Sequence, residues 1–495
     1  MPATLSDGVS GESLVRFELP LVVDLDGTLL VTDSYSETFV SALFNRPLVA
    51  IQAIAKLIFR GKAASKQVLA EGTDLDLETL PLRKELVDFL RDEEARGRSV
   101  NLATAADRNI AEAVAARLGL FSSVHASEND HNLKGARKAE RLKTVFPQGF
   151  VYAGDCRADF PIWKQAAGAI VVSSDKRLLG EVAASGVPIE RVFDAPPSGF
   201  RPWLKAARLH QWAKNILVMV PILLGLRNLS VSGALSAFVA MMILCVLASL
   251  TYMLNDIVDL SADRLHWSKS RRPFASGVLP VEYGLVAAGL GIPMLLGLGF
   301  WMSPGIGLVL LAYLLLTLAY SLRLKRVPIL DVTILATLFT LRLALGVVAA
   351  GQEWSVWLLS FSMFFFFSLA IAKRHTELLR AATSGAGHSE SGIVYGRGYH
   401  IEDNDVTLVY GAGASIASIV ILVLYLTEEV LSRPLFEHPQ YLWFEPLAVF
   451  LWTARVWLLS HRGQMTDDPL LFALKDRTSL AIGLAVAISL GLALI

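Results

Sequence analysis

Three aspartates follow a long apolar run with the spacing of one helical face. The run "FVAMMILCVLASLTYM" (238–253) continues without a break into "LNDIVDLSADR" (254–264). Asp256, Asp259 and Asp263 are spaced i, i+3 and i+7, so they share a face where a helix leaves the membrane. Because like charges at this spacing repel, we expect a positive charge among them.

Basic side chains lie near these aspartates and at the ends of other apolar segments. Three of them occupy the next loop, "RLHWSKSRRPFASG" (264–277): Lys269, Arg271 and Arg272. Five more stand at segment ends: Lys214, Lys325, Arg342, Lys373 and Arg374. Such residues bind phosphates when they face an interior cavity. Any single one also fits the ordinary excess of Lys and Arg at the cytoplasmic ends of membrane helices. The sequence alone leaves both interpretations open.

A second group of polar residues follows apolar strands in the first 200 residues. The segments are "FELPLVVDLDGT" (17–28), "GRSVNLATAADR" (97–108) and "GFVYAGDCRADF" (149–160). Their polar ends carry Asp24, Asp26, Thr104, Asp155 and Asp159. A basic helix, "NLKGARKAERLKTVF" (132–146), separates the last two strands. Strands that alternate with helices predict a doubly wound α/β domain, in which the carboxyl ends of parallel strands meet.

The chain beyond residue 215 consists of apolar runs of membrane-spanning length. Hydrophobic residues make up 54% of the 495 residues, more than is usual in a soluble protein. Nine apolar segments are predicted: 215–226, 233–254, 283–302, 304–322, 329–350, 355–372, 406–427, 440–460 and 478–495. We therefore expect an all-α integral membrane bundle of nine transmembrane helices.

Loop charges predict how this bundle is oriented. With the N-terminus inside, the four cytoplasmic loops carry fourteen Lys and Arg, whereas the opposite loops carry only Arg227 and Arg433. The positive-inside rule then places the C-terminus outside and the aspartate cluster on the cytoplasmic side. The stretch "MPATLSDGVSGESL" (1–14) lacks the basic and apolar regions of a signal peptide. We expect a multi-pass protein of the inner membrane with its N-terminal domain in the cytoplasm.

Composition limits the function classes and the domain layout. The formal net charge is zero, which offers no support for a nucleic-acid partner. Cys156 and Cys245 are the only cysteines and support neither a disulfide framework nor a zinc site. We predict a soluble domain over 1–195, a linker rich in Pro, Gly and basic residues over 196–208, and a transmembrane domain over 209–495.

The soluble half resembles the haloacid dehalogenase (HAD) superfamily of phosphohydrolases, whose four motifs can be placed in order. The resemblance implies that Asp24 is the nucleophile, Asp26 the general acid and base, and Thr104 a ligand of the phosphoryl group. It implies that Lys138 neutralises nucleophile and phosphate, with Lys134 as the competing choice. It also implies that Mg²⁺ is bound with help from four carboxylates, Asp24, Asp26, Asp155 and Asp159, and that residues 35–96 form a cap. A degenerate or a regulatory domain is the alternative.

The membrane half resembles the UbiA prenyltransferase superfamily. "NDIVDLSAD" (255–263) matches its first aspartate-rich motif, NDxxDxxxD, and "RPFASG" (272–277) a following element. The resemblance implies that Asp256 and Asp259 are catalytic, that Asp263 joins them in binding Mg²⁺, and that Asn255 ligates or orients.

A narrower resemblance points to the branch of that superfamily that transfers phosphoribose. "ARLHQWAKN" (207–215), "YSLRLKRVPILD" (320–331) and "AIAKRHTEL" (370–378) carry it, and the last stands where a second aspartate motif is usual. It implies transfer of 5-phosphoribose from phosphoribosyl diphosphate (PRPP) to a polyprenyl phosphate, as in the supply of cell-wall arabinan precursors. The HAD-type domain would then remove the 5-phosphate to give polyprenyl-phosphoryl-ribose.

Two other functions remain open. One is a prenyltransferase that uses a prenyl diphosphate donor and an aromatic or other acceptor. The other is a non-enzymatic transporter with a regulatory HAD-like domain, although no inverted hydropathy repeats are evident. The sequence gives neither the length of the polyprenyl chain nor the answer to whether the chain forms a homo-oligomer.

Overall fold

A computed structural model describes residues 19–73, 75–127, 133–195, 199–224, 230–384, 398–431, 436–465 and 469–494. Its internal contacts divide the chain into two compact units. Unit 1 comprises the chain up to Ala207 together with Tyr252–Ala287, and unit 2 comprises Arg208–Thr251 together with Ala288–Ile495.

Unit 1 is built on a six-stranded, fully parallel sheet with the order β3-β2-β1-β4-β5-β6. The strands are β1 (Leu21–Val23), β2 (Val100–Asp107), β3 (Ser123–Ser127), β4 (Val151–Gly154), β5 (Gly168–Val172) and β6 (Ile189–Phe193). β1 pairs with both β2 and β4, so the strand order reverses direction at β1. A reversal of this kind opens a ligand crevice at the carboxyl ends of the strands. The predicted α/β domain with a parallel sheet is confirmed.

Both faces of this sheet are covered, which is why its central strands read as continuous apolar runs. Leu21 and Val23 of β1 join one core cluster, and Val22 between them joins a second cluster on the opposite face. The helices of this α/β layer are α4 (Lys84–Ala95), α5 (Arg108–Leu118), α6 (Ala136–Val145), α7 (Phe160–Trp163) and α8 (Lys176–Ala184). β1 is therefore held rigidly from both sides, and so is the residue that follows it.

Three helices lie between the first two motifs, inside the predicted cap range. They are α1 (Ser34–Asn45), α2 (Pro47–Arg60) and α3 (Lys62–Gly72), and they share a small core of Ala42, Ala50, Ala53 and Leu69. α4 also falls within 35–96, but its Leu86 and Leu90 are part of the sheet core. α9 (Phe200–Ala206) follows β6.

Residues 252–287 complete unit 1 and carry the aspartate cluster. They include the end of α11 (Val231–Val258), the short helix α12 (Leu260–Leu265), a 3₁₀ turn at Lys269–Arg271 and the start of α13 (Val281–Met302). Asp259 lies between α11 and α12, yet its N–H still donates to the Asn255 carbonyl (2.9 Å) and the Asp263 N–H donates to the Asp259 carbonyl (2.8 Å). The predicted helical spacing is thus kept through the junction.

Unit 2 is helical. Its elements are a 3₁₀ segment at Leu209–Met219, α10 (Val220–Leu224), most of α11 and α13, α14 (Pro304–Leu322), α15 (Leu330–Ala350), α16 (Val356–Ser384), α17 (Asn404–Tyr425), α18 (Phe444–His461), α19 (Pro469–Lys475) and α20 (Arg477–Leu494). α16, α17 and α18 meet where Gly411 faces the Trp457 indole so closely that a Cβ would overlap it. Ser368 donates to the Gly411 carbonyl (2.8 Å) and accepts from the Trp457 indole N–H (3.0 Å). Small residues and hydroxyl groups of this kind join helices inside a membrane.

Eight helices among the described residues are long and apolar enough to cross a membrane. The chain is therefore a multi-pass membrane protein. The predicted count of nine is not confirmed, because the first predicted segment, 215–226, overlaps only the shorter apolar stretch Leu209–Leu224. That stretch is largely a 3₁₀ helix, followed by the five residues of α10.

Candidate active sites

A cleft of about 370 Å³ in unit 1 brings the predicted phosphatase residues together. Its lining includes Asp24, Asp26, Thr104, Lys138, Asp155 and Asp159. Lys134, the competing lysine, also lines the cleft and is exposed. The cleft is further lined by Gly277, Pro280, Val281 and Glu282, which follow the aspartate cluster in the chain. Two sequence regions more than a hundred residues apart therefore form one cavity wall.

Asp24 is fixed by the end of β1 and by a buried lysine. Its backbone N–H donates to the Ala153 carbonyl (3.0 Å), which continues the ladder into β4. The Lys138 ammonium lies 3.0 Å from Asp24 Oδ1 and also donates to the Tyr152 hydroxyl (3.0 Å). Tyr152 in turn donates to Asp159 Oδ1 (3.0 Å). A buried charge needs such partners. This series of contacts orients one Asp24 oxygen toward Lys138.

Asp26 lies on the turn after β1, beside the cap. The Ser34 N–H at the start of α1 donates to its Oδ1 (2.8 Å). Burial, with the nearby Asp33 charge as the next cause, raises the pKa of Asp26 to about 6. A carboxyl group with this pKa exchanges a proton near neutral pH, as a general acid and base must.

The turn itself is held by an arginine and a glycine. The Arg83 guanidinium donates to the carbonyls of Thr28 (3.1 Å) and Gly27 (3.2 Å). Gly27 has φ +76°, and a Cβ there would overlap the Asp155 carboxylate. Only glycine allows the turn to approach Asp155 so closely.

The carboxylates around Asp155 suit a hard divalent cation. Burial, followed by the charges of Asp159 and Asp24, raises the pKa of Asp155 to about 7. One Asp159 oxygen accepts from the backbone N–H groups of Asp155 (3.2 Å) and Cys156 (3.4 Å). The ligand atoms of Asp155, Cys156 and Asp159 lie within 4.8 Å of one another. Burial raises the pKa of Cys156 to about 12, so the thiol stays protonated and the oxygen donors fit Mg²⁺ better than a soft metal.

We predict from these values that the cleft in unit 1 binds Mg²⁺ more tightly as the pH rises. Asp155 has a folded pKa of about 7, raised above its ordinary value, so below pH 7 a proton competes with the cation. Between pH 6 and pH 8 the half-saturating Mg²⁺ concentration should fall about tenfold and then level off. Thermal stabilisation by Mg²⁺ measures this in an Asp256→Asn background, which disables the second predicted site. A half-saturating concentration independent of pH would contradict it.

The aspartate cluster contains the positive charge that its spacing requires. The Arg272 guanidinium donates to Asp256 Oδ1 (3.0 Å) and to Asp263 Oδ2, and the Lys269 ammonium lies 3.8 Å from Asp263 Oδ1. Asp256 and Asp263 are buried. The Asn255 amide donates to Asp259 Oδ2 (3.2 Å). Arg271 is exposed, and its carbonyl accepts from Lys205 (3.0 Å). The atoms that the three aspartates offer to a metal ion are all carboxylate oxygens, which suits Mg²⁺.

A buried ion pair joins this cluster to the cap within unit 1. Arg264, next to Asp263, donates to both Glu37 oxygens at 2.6 and 3.0 Å, and both side chains are less than a tenth exposed. Its Nε donates to the Ala275 carbonyl (3.1 Å). Glu37 lies in the first turn of α1, the helix whose Ser34 N–H binds Asp26. One helix therefore contacts the residues next to both candidate sites.

Replacing Arg264 by Met should destabilise α1 strongly. Loss of one partner leaves the Glu37 charge buried and unpaired, which costs about 3 kcal/mol, whereas the double change with Glu37→Gln should cost less than the sum of the two single changes. Hydrogen–deuterium exchange of the α1 amides measures the effect. Arg157→Met, which breaks the exposed pair with Glu181, is the control and should change exchange little. Unchanged α1 exchange in the Arg264 variant would show that the pair holds nothing in place.

Two of the predicted basic residues of unit 2, Arg342 and Arg374, are each the centre of a hydrogen-bonded group. Arg342 is buried and donates to Asn215 Oδ1 (2.8 Å), the Tyr313 hydroxyl (3.2 Å) and the Leu338 carbonyl (2.5 Å). Its guanidinium lies 4.9 Å from the Phe339 ring centre, and the Lys214 ammonium lies 5.8 Å from the same ring. Cation–π contacts of this kind hold a cation without neutralising it.

The second group centres on Arg374. Its guanidinium donates to Asp331 (2.7 Å), Glu377 (2.8 Å) and the Tyr320 hydroxyl (3.2 Å). Asp331, which is fully buried, also accepts from the Tyr399 hydroxyl (2.7 Å). The buried Asp331 carboxylate thus largely neutralises the charge of Arg374. Lys325, in a 3₁₀ turn, and Lys373, beside Arg374, are half-buried.

Comparison with known proteins decides the family. The model of the UbiA prenyltransferase family matches residues 218–474, more than half of the chain. The chain belongs to the UbiA prenyltransferase family.

Relatives extend across the UbiA domain and beyond it. An uncharacterized protein of Sinorhizobium fredii, y4nM, is 39% identical over 470 residues, which cover 95% of this chain and 90% of that protein. The decaprenyl-phosphate phosphoribosyltransferase of Mycobacterium tuberculosis is 32% identical over 208 residues, 41% of this chain and 68% of that enzyme. A solved UbiA homolog from Archaeoglobus fulgidus bound to DMAPP and Mg²⁺ is 15% identical with a TM-score of 0.45, over 59% of this chain and 97% of that one.

Several residues that hold the two candidate sites in place could not be identified from the sequence of this UbiA family protein. Tyr152 lies inside the apolar segment 149–160, where no sequence pattern distinguishes its hydroxyl from the side chains of the surrounding core. Arg83 acts on backbone carbonyls, for which no sequence pattern exists. Glu37 and Arg264 are 227 positions apart, so only the folded chain brings them together.

Proposed function

We propose that this UbiA family protein transfers 5-phosphoribose from PRPP to a polyprenyl phosphate. We further propose that its HAD-type domain, residues 1–195, removes the 5-phosphate to yield polyprenyl-phosphoryl-ribose. One observation carries the proposal. A chain similar to an enzyme named decaprenyl-phosphate phosphoribosyltransferase also gathers Asp24, Lys138 and Asp155 in a phosphatase-type cleft. The product of the first reaction would carry the phosphomonoester that the second site consumes.

The transferase half must stabilise a departing diphosphate. Asp256, Asp259 and Asp263 supply oxygen ligands for Mg²⁺, which would neutralise charge on the leaving oxygens. Arg272 and Lys269 already lie at these carboxylates and would bind the phosphates beside them. The acceptor phosphate is an anion as it arrives. The site therefore needs no strong general base to activate the acceptor.

The phosphatase half has the groups for a two-step displacement. Asp24 attacks the phosphorus and forms an aspartyl-phosphate, while Asp26 gives its proton to the departing sugar hydroxyl. Asp26 then takes a proton from water as that water attacks the aspartyl-phosphate, which releases inorganic phosphate and restores Asp24. Lys138 and Thr104 hold the phosphoryl oxygens throughout, and Mg²⁺ bound at Asp24 and Asp155, with Asp26 and Asp159 beside it, would offset the phosphate charge.

Two features support a phosphoribosyl donor over a prenyl diphosphate. The place of a second aspartate motif carries Lys373 and Arg374. Arg374 is paired with Asp331 and Glu377, so Lys373 is the residue there that would supply positive charge to a donor with an additional phosphate. The phosphatase cleft is also lined by Gly277, Pro280, Val281 and Glu282, which follow the aspartate cluster in the chain. A cleft so placed raises the local concentration of a product released nearby.

The donor is tested by labelling. Purified full-length protein in lipid nanodiscs receives polyprenyl phosphate, Mg²⁺ and either labelled PRPP or a labelled prenyl diphosphate, and the lipid product is analysed by mass spectrometry. We expect label from PRPP alone, in a lipid bearing ribose without its 5-phosphate. Label from the prenyl diphosphate would favour the prenyltransferase alternative, and no label from either donor would favour a transporter.

We also propose the placement of this protein in the cell. Fourteen Lys and Arg in four loops support an inner-membrane protein with both sites in the cytoplasm. A lipid-linked ribose made there fits the supply of a cell-wall arabinan precursor. Accessibility of a cysteine introduced at Arg271 to a membrane-impermeant reagent, in inverted against right-side-out vesicles, tests the sidedness.

A further inference from the structure

Three lysines line the phosphatase cleft on its cap side. Lys62 and Lys66 come from α3 and Lys134 from the residues before α6. Lys62 and Lys66 are four positions apart, so they share one face of α3. None of the three is the lysine bonded to Asp24, which is Lys138. The two-step displacement at Asp24 therefore leaves these three cations without a role.

The position of Lys66 relates these lysines to the leaving group. Its ammonium donates to the Ala105 carbonyl (2.9 Å), next to Thr104. Burial lowers the pKa of Lys66; the Asp26 charge opposes this, and the Lys62 and Lys134 charges add to it. Lys62, Lys134 and Asp26 are thus each close enough to Lys66 for their charges to act on it.

The geometry of the displacement indicates which part of the substrate these lysines face. An in-line attack by Asp24 places the departing oxygen on the far side of the phosphorus, where Asp26 must protonate it. Whatever the departing oxygen belongs to extends from Asp26 toward the cap. A second anion on that part of the substrate would relieve the repulsion among the lysines, and charge-assisted hydrogen bonds would bind it.

We propose that Lys62, Lys66 and Lys134 form a second anion subsite, which binds a phosphodiester on the leaving-group side of the scissile phosphate. The substrate class is a sugar phosphate monoester whose sugar carries a further phosphoryl group. This subsite rests on the proposed phosphatase function and sets its selectivity. A simple phosphate monoester fills the catalytic part of the cleft and leaves the lysines with the partners they already have, among them Asp33, 4.0 Å from Lys62, and the Ala105 carbonyl bonded to Lys66.

Two soluble substrates that differ in one charge test the subsite. Full-length protein hydrolyses either methyl riboside 5-phosphate or the same sugar with a methyl phosphodiester at C1, and phosphate release is measured. We expect kcat/KM to be at least about tenfold higher for the diester-bearing substrate, with a ratio that falls as salt is added. Lys62→Met, Lys66→Met and Lys134→Met should each lower the ratio, and the triple change should bring it near one.

The controls separate this subsite from the phosphatase activity. Lys143→Met, an exposed lysine of α6 that does not line the cleft, should keep the wild-type ratio. Lys66→Gln repeats the test if Lys66→Met unfolds the cap. Equal hydrolysis of both substrates, or an unchanged ratio in the triple variant, would overturn the subsite alone. Failure of the wild type to hydrolyse either substrate would overturn the phosphatase function and the subsite with it.

A different observation, on α2, carries a second inference. This helix presents its large apolar side chains outward: Leu48, Ile51, Ile58 and Phe59 are 74, 61, 71 and 84% exposed. Its buried residues are the small Ala50 and Ala53, with Val49 packed partly buried beside them. A soluble helix has the reverse arrangement, so the outer face of α2 needs an apolar partner.

Charge identifies that partner as a lipid surface. Residues 38–70 contain Arg46, Lys56, Arg60, Lys62 and Lys66 and no acidic residue. The cap that carries α2 is bonded through Glu37 to Arg264, six residues after the end of the membrane helix α11. A basic helix with an exposed apolar face lies in the headgroup layer of an anionic bilayer. We infer that α2 is an interfacial anchor, which holds the phosphatase cleft at the membrane surface.

Fluorescence quenching tests this anchor. A bimane label on Phe59→Cys, in full-length protein with Cys156→Ser and Cys245→Ala, is read in anionic nanodiscs that contain spin-labelled lipid. We expect strong quenching by the lipid and little by aqueous iodide, and the opposite for a label on Lys143→Cys. Iodide quenching of both labels would overturn the anchor. Protection from both quenchers, with crosslinking between copies, would show a protein partner instead and would also overturn it.

Discussion

Asp24→Asn should convert the protein into one that makes lipid-phosphoryl-5-phosphoribose and stops there. The change removes the nucleophile but keeps the shape of the side chain, which the Leu25 N–H and Lys138 hold in place. Loss of a nucleophile lowers the rate of its step by roughly 10³-fold or more. The aspartate cluster is untouched, so transfer from PRPP should continue at the wild-type rate.

Mass analysis of the lipids formed from PRPP measures this result. In wild type we expect polyprenyl-phosphoryl-ribose, and in Asp24→Asn the same lipid heavier by one phosphate. Asp88→Asn, at an exposed position of α4, is the control and should behave as wild type. Formation of the dephosphorylated lipid by Asp24→Asn at the wild-type rate would mean that the cleft in unit 1 does not act on this lipid.

The sequence was most informative where secondary structure alone places a residue. Asp24, Thr104 and Asp155 stand at or near the carboxyl ends of neighbouring strands, and parallel strands bring such ends together whatever the details of packing. The parallel sheet could therefore be predicted from the alternation of strands and helices. The proximity of these side chains could be predicted from their positions at the ends of the strands.

The lysine shows the limit of this reasoning. Lys134 and Lys138 both lie in the first half of the predicted basic helix, 132–146, and the sequence does not give the residue where that helix begins. α6 begins at Ala136, which leaves Lys134 on the cleft rim and turns Lys138 inward to Asp24. A boundary uncertainty of two residues is enough to exchange their positions.

The membrane half shows another limit. Spacing required a positive charge among Asp256, Asp259 and Asp263, but the bond from Arg272 to two of them depends on how the loop folds back. Arg374 was predicted from its place near a segment end, and hydropathy could not show that the buried Asp331 pairs with it. The count of nine segments depended on a short first run that the chain folds largely as a 3₁₀ helix.

Asp256→Asn should abolish phosphoribosyl transfer while leaving the phosphatase intact. Asp256 is 2% exposed and bonded to Arg272, so the amide removes a charge from a site where water cannot replace it. We expect the transfer rate to fall by roughly 10² to 10³-fold, as when one preorganised electrostatic contact is lost. The Mg²⁺ concentration needed for half-maximal transfer should rise as well, because one oxygen ligand has lost its charge.

A second assay, in which the intermediate is added directly, tests the phosphatase part of this prediction separately from the transferase part. Given synthetic polyprenyl-phosphoryl-5-phosphoribose, Asp256→Asn should release phosphate as fast as wild type, because Asp24 and Asp26 are unchanged. Asp405→Asn, an exposed acid in the first turn of α17, is the matched control and should transfer phosphoribose normally. If Asp256→Asn formed lipid-linked ribose from PRPP at the wild-type rate, the buried Asp256 charge would not be needed for transfer, and the transferase site would have to lie elsewhere.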